Sequence, residues 1–453
     1  MAEINLQQLA SQIASYAVQQ AQSRNDMRTK DNKARSDALV QLQKTLQDFK
    51  NTLGGLSGKK SVLAHAAALS QEGIATVTAG AKAQDGNYSL FVKQVATAEQ
   101  QAFARLDGMT VAAGDKLNIK VGTATIAIDL ASADKDADGK LSLTELARSI
   151  NQSKDSSGKV SAMVLTANGQ SQLVLTSSQT GEANSLQVSG SGAGVEAALA
   201  LEAPKVLSKA QDALVFLGEE NTGVPIKQAS NTFTGIEGVT VNLSRAMKSG
   251  DPALKLTVST SNNDTAANLQ IFIDGFNAAK KSLTAMLANA KNDKNDSGKR
   301  DAGGAFASDS GIRALRDKLN GLVRQSFDGV RLMDFGVKTD RDGNLSLDRS
   351  KLDKALIENP AGLEKIFNSS TGTDLIKENN DYLGKWLNAS NGLLKTRKES
   401  VSKAAGDLSA QADKISKQYD QAYQRALKQF TQLKQLQAQM SETSSMFDSM
   451  SFV

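Results

Sequence analysis

The chain has no cysteine, one histidine, one tryptophan and four prolines among its 453 residues. Without cysteine there is no disulfide, no thiolate metal site and no thiol nucleophile. A serine-histidine-aspartate arrangement would have to use His65, which sits in the apolar run Leu63-Ala64-His65-Ala66-Ala67-Ala68-Leu69. That run reads as a helix-prone packing segment, and no Gly-x-Ser-x-Gly elbow accompanies it. The formal net charge is only +5. It is scattered, and no Lys/Arg run interleaves with aromatics as a nucleic-acid footprint would require. No segment reaches the apolar length of a membrane span, and the first residues lack the basic start and continuous apolar core of a signal peptide. These absences argue against an enzyme, a nucleic-acid binder and a membrane-inserted protein. They fit a cytoplasmic chain and one exported without a cleaved signal equally well.

A length of 453 residues with 40% hydrophobic content allows two to four domains. The most regular stretch is Ile415 to Met440, where Ile415, Tyr419, Ala422, Ala426, Phe430, Leu433 and Met440 recur at alternating four- and three-residue steps, with Gln437 in one slot. That is a helix seam. Its opposite face is Lys417, Gln421, Arg425, Lys428, Gln432 and Lys434. At about 1.5 Å per residue the rod runs roughly 40 Å, too long for one small core, so it needs a partner helix. Leu6, Leu9, Ile13, Ala17 and Ala21 form a similar narrow stripe at the other end of the chain. Pairing of the two ends makes everything between them an insertion; the other reading is two unrelated surface helices on a common core.

Between the ends the period changes twice. Helical spacing continues through Leu39, Leu42, Leu46, Phe49 and Leu53 until Gly54, Gly55 and Gly58 stop it. Gly58-Lys59 is no phosphate loop, because Lys60 stands where Ser or Thr is needed. From Gly86 the pattern alternates: Tyr88, Leu90 and Val92, then Leu117, Ile119 and Val121 answered by Ile126, Ile128 and Leu130. Asn168-Gly169 between two alternating runs is the strongest hairpin signal. Val239, Val241 and Leu243 and then Leu254, Leu256 and Val258 form a second β region. Helical spacing returns in Leu269, Phe272, Ile273 and Phe276 and in Ile312, Leu315, Leu319 and Leu322.

One motif carries chemistry. Asp134-Lys135-Asp136-Ala137-Asp138-Gly139-Lys140-Leu141-Ser142-Leu143-Thr144-Glu145 has the twelve-residue calcium-loop pattern: Asp at positions 1, 3 and 5, Gly at 6, an apolar residue at 8 and Glu at 12. Asp134, Asp136 and Asp138 would wrap one side of the ion. Lys140 would offer its carbonyl, Ser142 would hold a water, and Glu145 would close the shell from a helix running Leu146 to Ile150. The Ile126 to Leu130 strand precedes the loop and no paired loop exists, so a single Ca²⁺ would bind weakly, on the order of 10⁻⁴ to 10⁻³ M. The competing reading is a solvated acidic turn capping that helix.

Four stretches, in order, resemble the bacterial flagellar filament cap family, hook-associated protein 2 or the FliD family. They are Gly86 to Gln100; Asp212-Ala213 with Ala229 to Phe233 and Gly235 to Leu243; Ile273 to Asn277 with Ser308 to Leu315; and Gly336-Val337 with Asp342 to Asp348, Asn359-Pro360 and Ile366-Phe367, leading into the Gln-rich C-terminal coil. The family often opens with Gly-Leu and Gly-Leu-Asp, whereas this chain begins Met1-Ala2-Glu3-Ile4-Asn5-Leu6-Gln7.

The resemblance implies an α+β multidomain fold. Its parts would be antiparallel terminal helices forming a coiled coil (1–40 with 415–453), a mostly helical leg domain (41–80 with 265–414), an inner β-rich plate domain (81–106 with 204–264) and an outer β-rich domain carrying the calcium-type loop (107–203). It also implies a non-enzymatic, extracellular protein at the distal tip of the flagellum, exported by the flagellar type III pathway, required for motility and sometimes adhesive. As partners it implies a ring of four to six copies with a pentamer favoured, flagellin retained until it folds into the filament, hook-filament junction proteins, and an export chaperone at the C-terminus, on Met446, Phe447, Met450 and Phe452. Filament contacts would fall on Leu6, Leu9, Ile13, Ile415, Tyr419, Phe430, Leu433 and Met440. Another axial or junction protein and a secreted calcium-dependent adhesin are the alternatives.

Overall fold

The computed structural model describes residues 5–57, 61–167, 169–289, 291–292, 300–301, 303–369 and 372–450. The chain divides into two units, Met1–Val62 with Thr265–Val453, and Leu63–Asp264.

The first unit opens with helix α1, Leu6–Gly55. The Asn5 side chain accepts from the N–H groups of Gln7 and Gln8, satisfying amides that have no partner within a first helical turn. No proline interrupts the helix and no glycine falls before Gly54, so two helical stretches inferred from the sequence form one rod. Its buried residues include Ala10, Ala14, Asn25, Leu39, Leu42, Leu46, Phe49 and Leu53. The N-terminal stripe is therefore rotated by about one residue from the expected one: Leu6 and Leu9 are half-buried, Ala17 is exposed, and Ile13 is 48% exposed. The strongly apolar C-terminal half explains the shift. Leu39, Leu46 and Leu53 continue a seven-residue repeat back through Asn32, Asn25 and Val18, and polar residues in that repeat hide its frame.

The second unit carries the strands. They are β1 (His65–Leu69), β2 (Ala75–Ala79), β3 (Gly86–Gln94), β4 (Gln100–Phe103), β5 (Met109–Thr110), β6 (Lys116–Val121) and β7 (Ala124–Asp129), followed by the single turn α2 (Leu130–Ala133), β8 (Lys140–Leu141) and helix α3 (Leu143–Gln152). Next come β9 (Val160–Ala167), β10 (Gln170–Ser177), β11 (Leu186–Ser191), α4 (Ala193–Leu201), β12 (Lys205–Ser208), β13 (Ala213–Leu217), β14 (Val224–Gln228), β15 (Thr232–Phe233), β16 (Val239–Leu243) and β17 (Leu254–Thr260).

The sheets run β1-β17-β3-β13-β14, β12-β4-β10-β9, β11-β6-β7 and β15-β16-β2. Two separate cores result. One gathers Phe91, Val92, Val215, Phe233, Val241, Leu254 and Leu256. The other gathers Leu117, Ile119, Ile126, Leu146, Ile150, Leu173 and Leu175. Strand alternation is the cause: Ile126 and Ile128 are buried while Ala127 between them is exposed. Gly169 takes φ 77°, as the two-residue hairpin between β9 and β10 requires; Asn168 lies outside the described residues.

His65 corrects an expectation. Its alanine-rich run is strand β1, with His65 opposite Thr260 and Ala67 opposite Val258, because an available edge on β17 outweighs the helix propensity of three alanines. Residues 65–79, assigned from the sequence to a helical leg, are thus β1 and β2 of the second unit.

The first unit resumes with α5 (Asn262–Met286), α6 (Ser310–Leu322), α7 (Arg349–Glu358), α8 (Pro360–Phe367), α9 (Leu375–Leu387) and α10 (Leu393–Met450). Phe49, Phe272, Phe276 and Phe367 meet at ring distances of 5.2 to 6.4 Å in its core. The lone tryptophan, Trp386, is buried with the Arg397 guanidinium 5.5 Å from its ring. Arg397 in turn forks onto Asp309, the N-cap of α6, with Nη2 3.0 Å from Oδ1. Helix α10 packs antiparallel on α1. The Asn32 amide donates to the Val401 carbonyl at 3.0 Å, Lys398 bonds Gln43, and the Ser11 and Tyr419 hydroxyls meet at 3.0 Å.

Candidate functional site

In the first unit, the seam on α10 is Ile415 (buried), Tyr419, Ala422, Ala426 (buried) and Phe430, half-buried where not stated. The contact stops there. From Thr431 to Phe447 every residue is exposed, with Leu433 at 61%, Met440 at 66% and Phe447 at 69%. Leu433, Leu436, Met440 and Phe447 keep the helical spacing of the seam, so the last turns of α10 present its continuation with no chain against it among the described residues. The side chain of Met450 and residue Phe452 lie outside the described residues. Beside the pair, a groove of about 700 Å³ is lined by Ser11, Ser15, Tyr16, Ile415 and Tyr419.

The pair also has a polar middle that sequence reading missed. Asn25 is 3% exposed and its Oδ1 has no hydrogen-bond partner. Its signal was the seven-residue step from Asn25 to Asn32 in frame with the leucines.

In the second unit, the acidic loop is placed by β7 and α2 on one side and by β8 and α3 on the other. A helical turn, not the strand directly, precedes it, because the Asp129 side chain caps Leu130–Ala133 by accepting from the Ser132 N–H. Strand β8 pairs with β5, Thr110 opposite Lys140 and Met109 opposite Leu141. This short ladder supports the loop, and nothing in the local sequence announces it.

Asp134, Asp136 and Asp138 each bring a carboxylate oxygen within 4.8 Å of the others. Asp134 accepts from the Ala137 and Gly139 amides at 2.9 and 3.0 Å, and Asp138 from the Lys140 amide at 2.7 Å. Gly139 takes φ 78° with nothing within 4 Å of a would-be Cβ, so backbone conformation rather than space makes it glycine. Asp136 is raised from its ordinary value: the Asp138 amide pulls it down, but Asp134, Asp138 and Glu145 push it up. Among the described residues no Lys or Arg is ion-paired to these three aspartates.

Ser142 and Glu145 are engaged otherwise. Helix α3 begins at Leu143, three residues before the expected start, with Ser142 as N-cap in a reciprocal capping box with Glu145. Glu145 accepts from the Ser142 hydroxyl at 2.7 Å, the Ser142 amide at 3.1 Å and the Lys135 amide at 2.9 Å. These bonds hold its carboxyl down at about 2. The structure therefore converges three of the expected side-chain ligands. Three carboxylates are the donor type a hard cation takes, while Glu145 is held by Ser142 and Lys135 instead.

The hairpin Val337–Thr339 with Leu345–Leu347 supplies a contrast. There the buried Lys280 ammonium bonds the Asp342 carbonyl and the Asn344 side chain. That turn is held by a lysine ammonium, whereas among the described residues Asp134, Asp136 and Asp138 have no ion-paired lysine or arginine.

The long paired helices end in an apolar seam with no chain against it among the described residues, and the segments of the β-rich cores lie between them in the sequence. Comparison with known proteins makes the class specific. The family model for the flagellar hook-associated protein 2 C-terminus matches residues 210–442, and that for its N-terminus matches residues 2–99. The lateral flagellar hook-associated protein 2 of Vibrio parahaemolyticus is 36% identical over 387 residues, 84% of each chain. The B-type flagellar hook-associated protein 2 of Pseudomonas aeruginosa is 27% identical over 430 residues, 90% of this chain and 87% of that one. The crystal structure of the D1-D2-D3 domains of the Escherichia coli flagellar cap protein FliD has the same fold, with a TM-score of 0.63 at 23% identity over 80% of this chain and 99% of that one. The chain belongs to the flagellar hook-associated protein 2 family.

Proposed function

We propose that this protein caps the distal end of a bacterial flagellar filament, retaining exported flagellin and promoting its folding and insertion. Family membership, with models matching residues 2–99 and 210–442 and a relative aligned over 84% of the chain, is the observation that carries the reading. The uncovered seam from Leu433 to Phe447 fits it, since those side chains gain their apolar burial only against another chain. In this reading α1 and α10 wind as a coiled coil whose free end enters the filament or meets junction proteins. The copies close into a ring of four to six, for which a pentamer is favoured. Met446 and Phe447 are held by an export chaperone before the chain leaves by the type III route to the tip. No catalytic role is assigned. Deleting the gene tests this: a cap mutant loses motility and sheds unpolymerised flagellin into the medium, whereas a mutant that swims on filaments of normal length overturns the reading.

The loop at Asp134 favours a second, compatible role. Three converged carboxylates with no ion-paired lysine or arginine among the described residues suit a weak divalent cation, which would stiffen the lobe around it. A calcium-dependent adhesive surface on the cap would then be separable from capping: an adhesion-defective variant swims.

A further inference from the structure

The four-stranded sheet β12-β4-β10-β9 has two free edges, and they differ. Strand β12 has four residues, is entered through Pro204, carries Lys205 and is irregular between Val206 and Ser208. These are the features that discourage a further strand from pairing. Strand β9 has eight residues and no charged side chain from Val160 to Ala167.

Only the start of that edge is covered. The Asn151 side chain accepts from the Ala162 N–H at 2.9 Å and donates to the Ala162 carbonyl at 2.8 Å, acting as a one-residue strand. Antiparallel neighbours alternate between bonded and non-bonded pairs, so the main-chain groups of Ala162 point away from β10. Those of Val164 and Thr166, two and four residues on, point the same way. Among the described residues nothing bonds them from that side. On the outer face Met163 is 54% and Leu165 40% exposed.

The geometry points to self-pairing: β9 joins β9 of a second copy, antiparallel, with Leu165 on the two-fold axis. Val164 of one copy then faces Thr166 of the other in two bonded pairs, giving four main-chain hydrogen bonds. Leu165 faces Leu165 in the closer, non-bonded pair, and Met163 meets Ala167. The register is set by Asn151. Placing Val164 opposite Val164 would bring Thr166 against Ala162, whose groups Asn151 already holds. The second copy is the fitting occupant because the edge complements itself residue by residue and meets no like charge. Such a contact closes at two copies. It does not rest on the filament-cap reading.

The absence of cysteine makes the test direct, since an introduced thiol is the sole one in the chain. Directly opposed Cβ atoms in such a pair lie about 4.5–5.5 Å apart, near enough for a disulfide after small adjustment. Full-length Leu165→Cys, mildly oxidised at high concentration, is expected to yield a covalent dimer. Leu201→Cys, at a position 74% exposed on α4, should give only background. Adding Thr166→Pro removes an outward N–H from each copy without touching the ladder to β10, and should lower the yield by about tenfold. Met163→Lys, a charge at an exposed position, should do the same and covers the case in which proline disturbs the hairpin. Equal dimer from Leu165→Cys and Leu201→Cys, or yields unchanged by Met163→Lys, overturns the proposal.

Discussion

The hydroxyls of Ser11 and Tyr419 lie 3.0 Å apart, joining the opening helix to the closing one across 408 positions of sequence. Beyond that contact the pair runs on only to about Phe430, and α10 continues to Met450, its apolar stripe exposed through Phe447. The part of α10 that packs on α1 and the part that is bare are therefore different stretches of one helix and can be altered separately by mutation.

Removing residues 429–453 should leave both β-rich cores folded, because none of their residues lies in that segment. Filament growth should fail. Far-ultraviolet circular dichroism of the truncated chain together with filament lengths on cells checks both halves, and wild-type filaments would refute the functional one.

Asn25 is a buried amide with an unsatisfied oxygen in a repeat whose other members, Asn32 apart, are apolar. Replacing both needs at once with a hydrocarbon removes a desolvation cost. Asn25→Leu should raise the stability of the helix pair by about 1 kcal/mol, read as a higher melting temperature, while loosening control of register, the usual role of a seam asparagine.

Glu145 gives the outer core an acid limit. Its carboxyl falls from 4.5 to about 2 through bonds from the Ser142 hydroxyl, the Lys135 amide and the Ser142 amide. A folded-state value below the unfolded one means the stabilisation is complete above the ordinary carboxylate range and is lost as the pH drops through about 4 toward 2. Glu145→Gln should flatten that part of the stability profile measured by denaturant melts.

The same variant tests the cation. Titrating millimolar calcium into the full-length protein should release or absorb heat and raise the melting temperature, whereas Glu145→Gln should weaken both effects. No heat and no shift in the wild type would remove the site.

Lys280 is 9% exposed and its ammonium holds the Asp342–Asn344 turn. Lys280→Met should cost about 2 kcal/mol, since the part-buried Asp342 carbonyl and Asn344 amide oxygen lose the charged donor they share. Unfolding followed by the single buried tryptophan, Trp386, in the same unit reports it.

The sequence by itself determined what depends on near neighbours. Alternation in Ile126 to Leu130 and in Leu254 to Val258 and the turn residues Gly139 and Gly169 act within a few positions, so strands, the Asn168-Gly169 hairpin and the acidic loop were legible. The ordered motifs that mark the family were legible for the same reason, as each is a short local pattern. Tertiary structure decided what depends on distant partners. His65 and its alanines became a strand because β17, nearly two hundred residues later, offered an edge. The face of α1 that turned inward was chosen by Leu39 to Leu53 and by α10, so Ile13 ended outside. Thr110 paired with Lys140 beneath the loop, thirty residues away in sequence. Burial and pairing are settled by whichever surfaces meet, and periodicity along one chain segment carries no record of its partner.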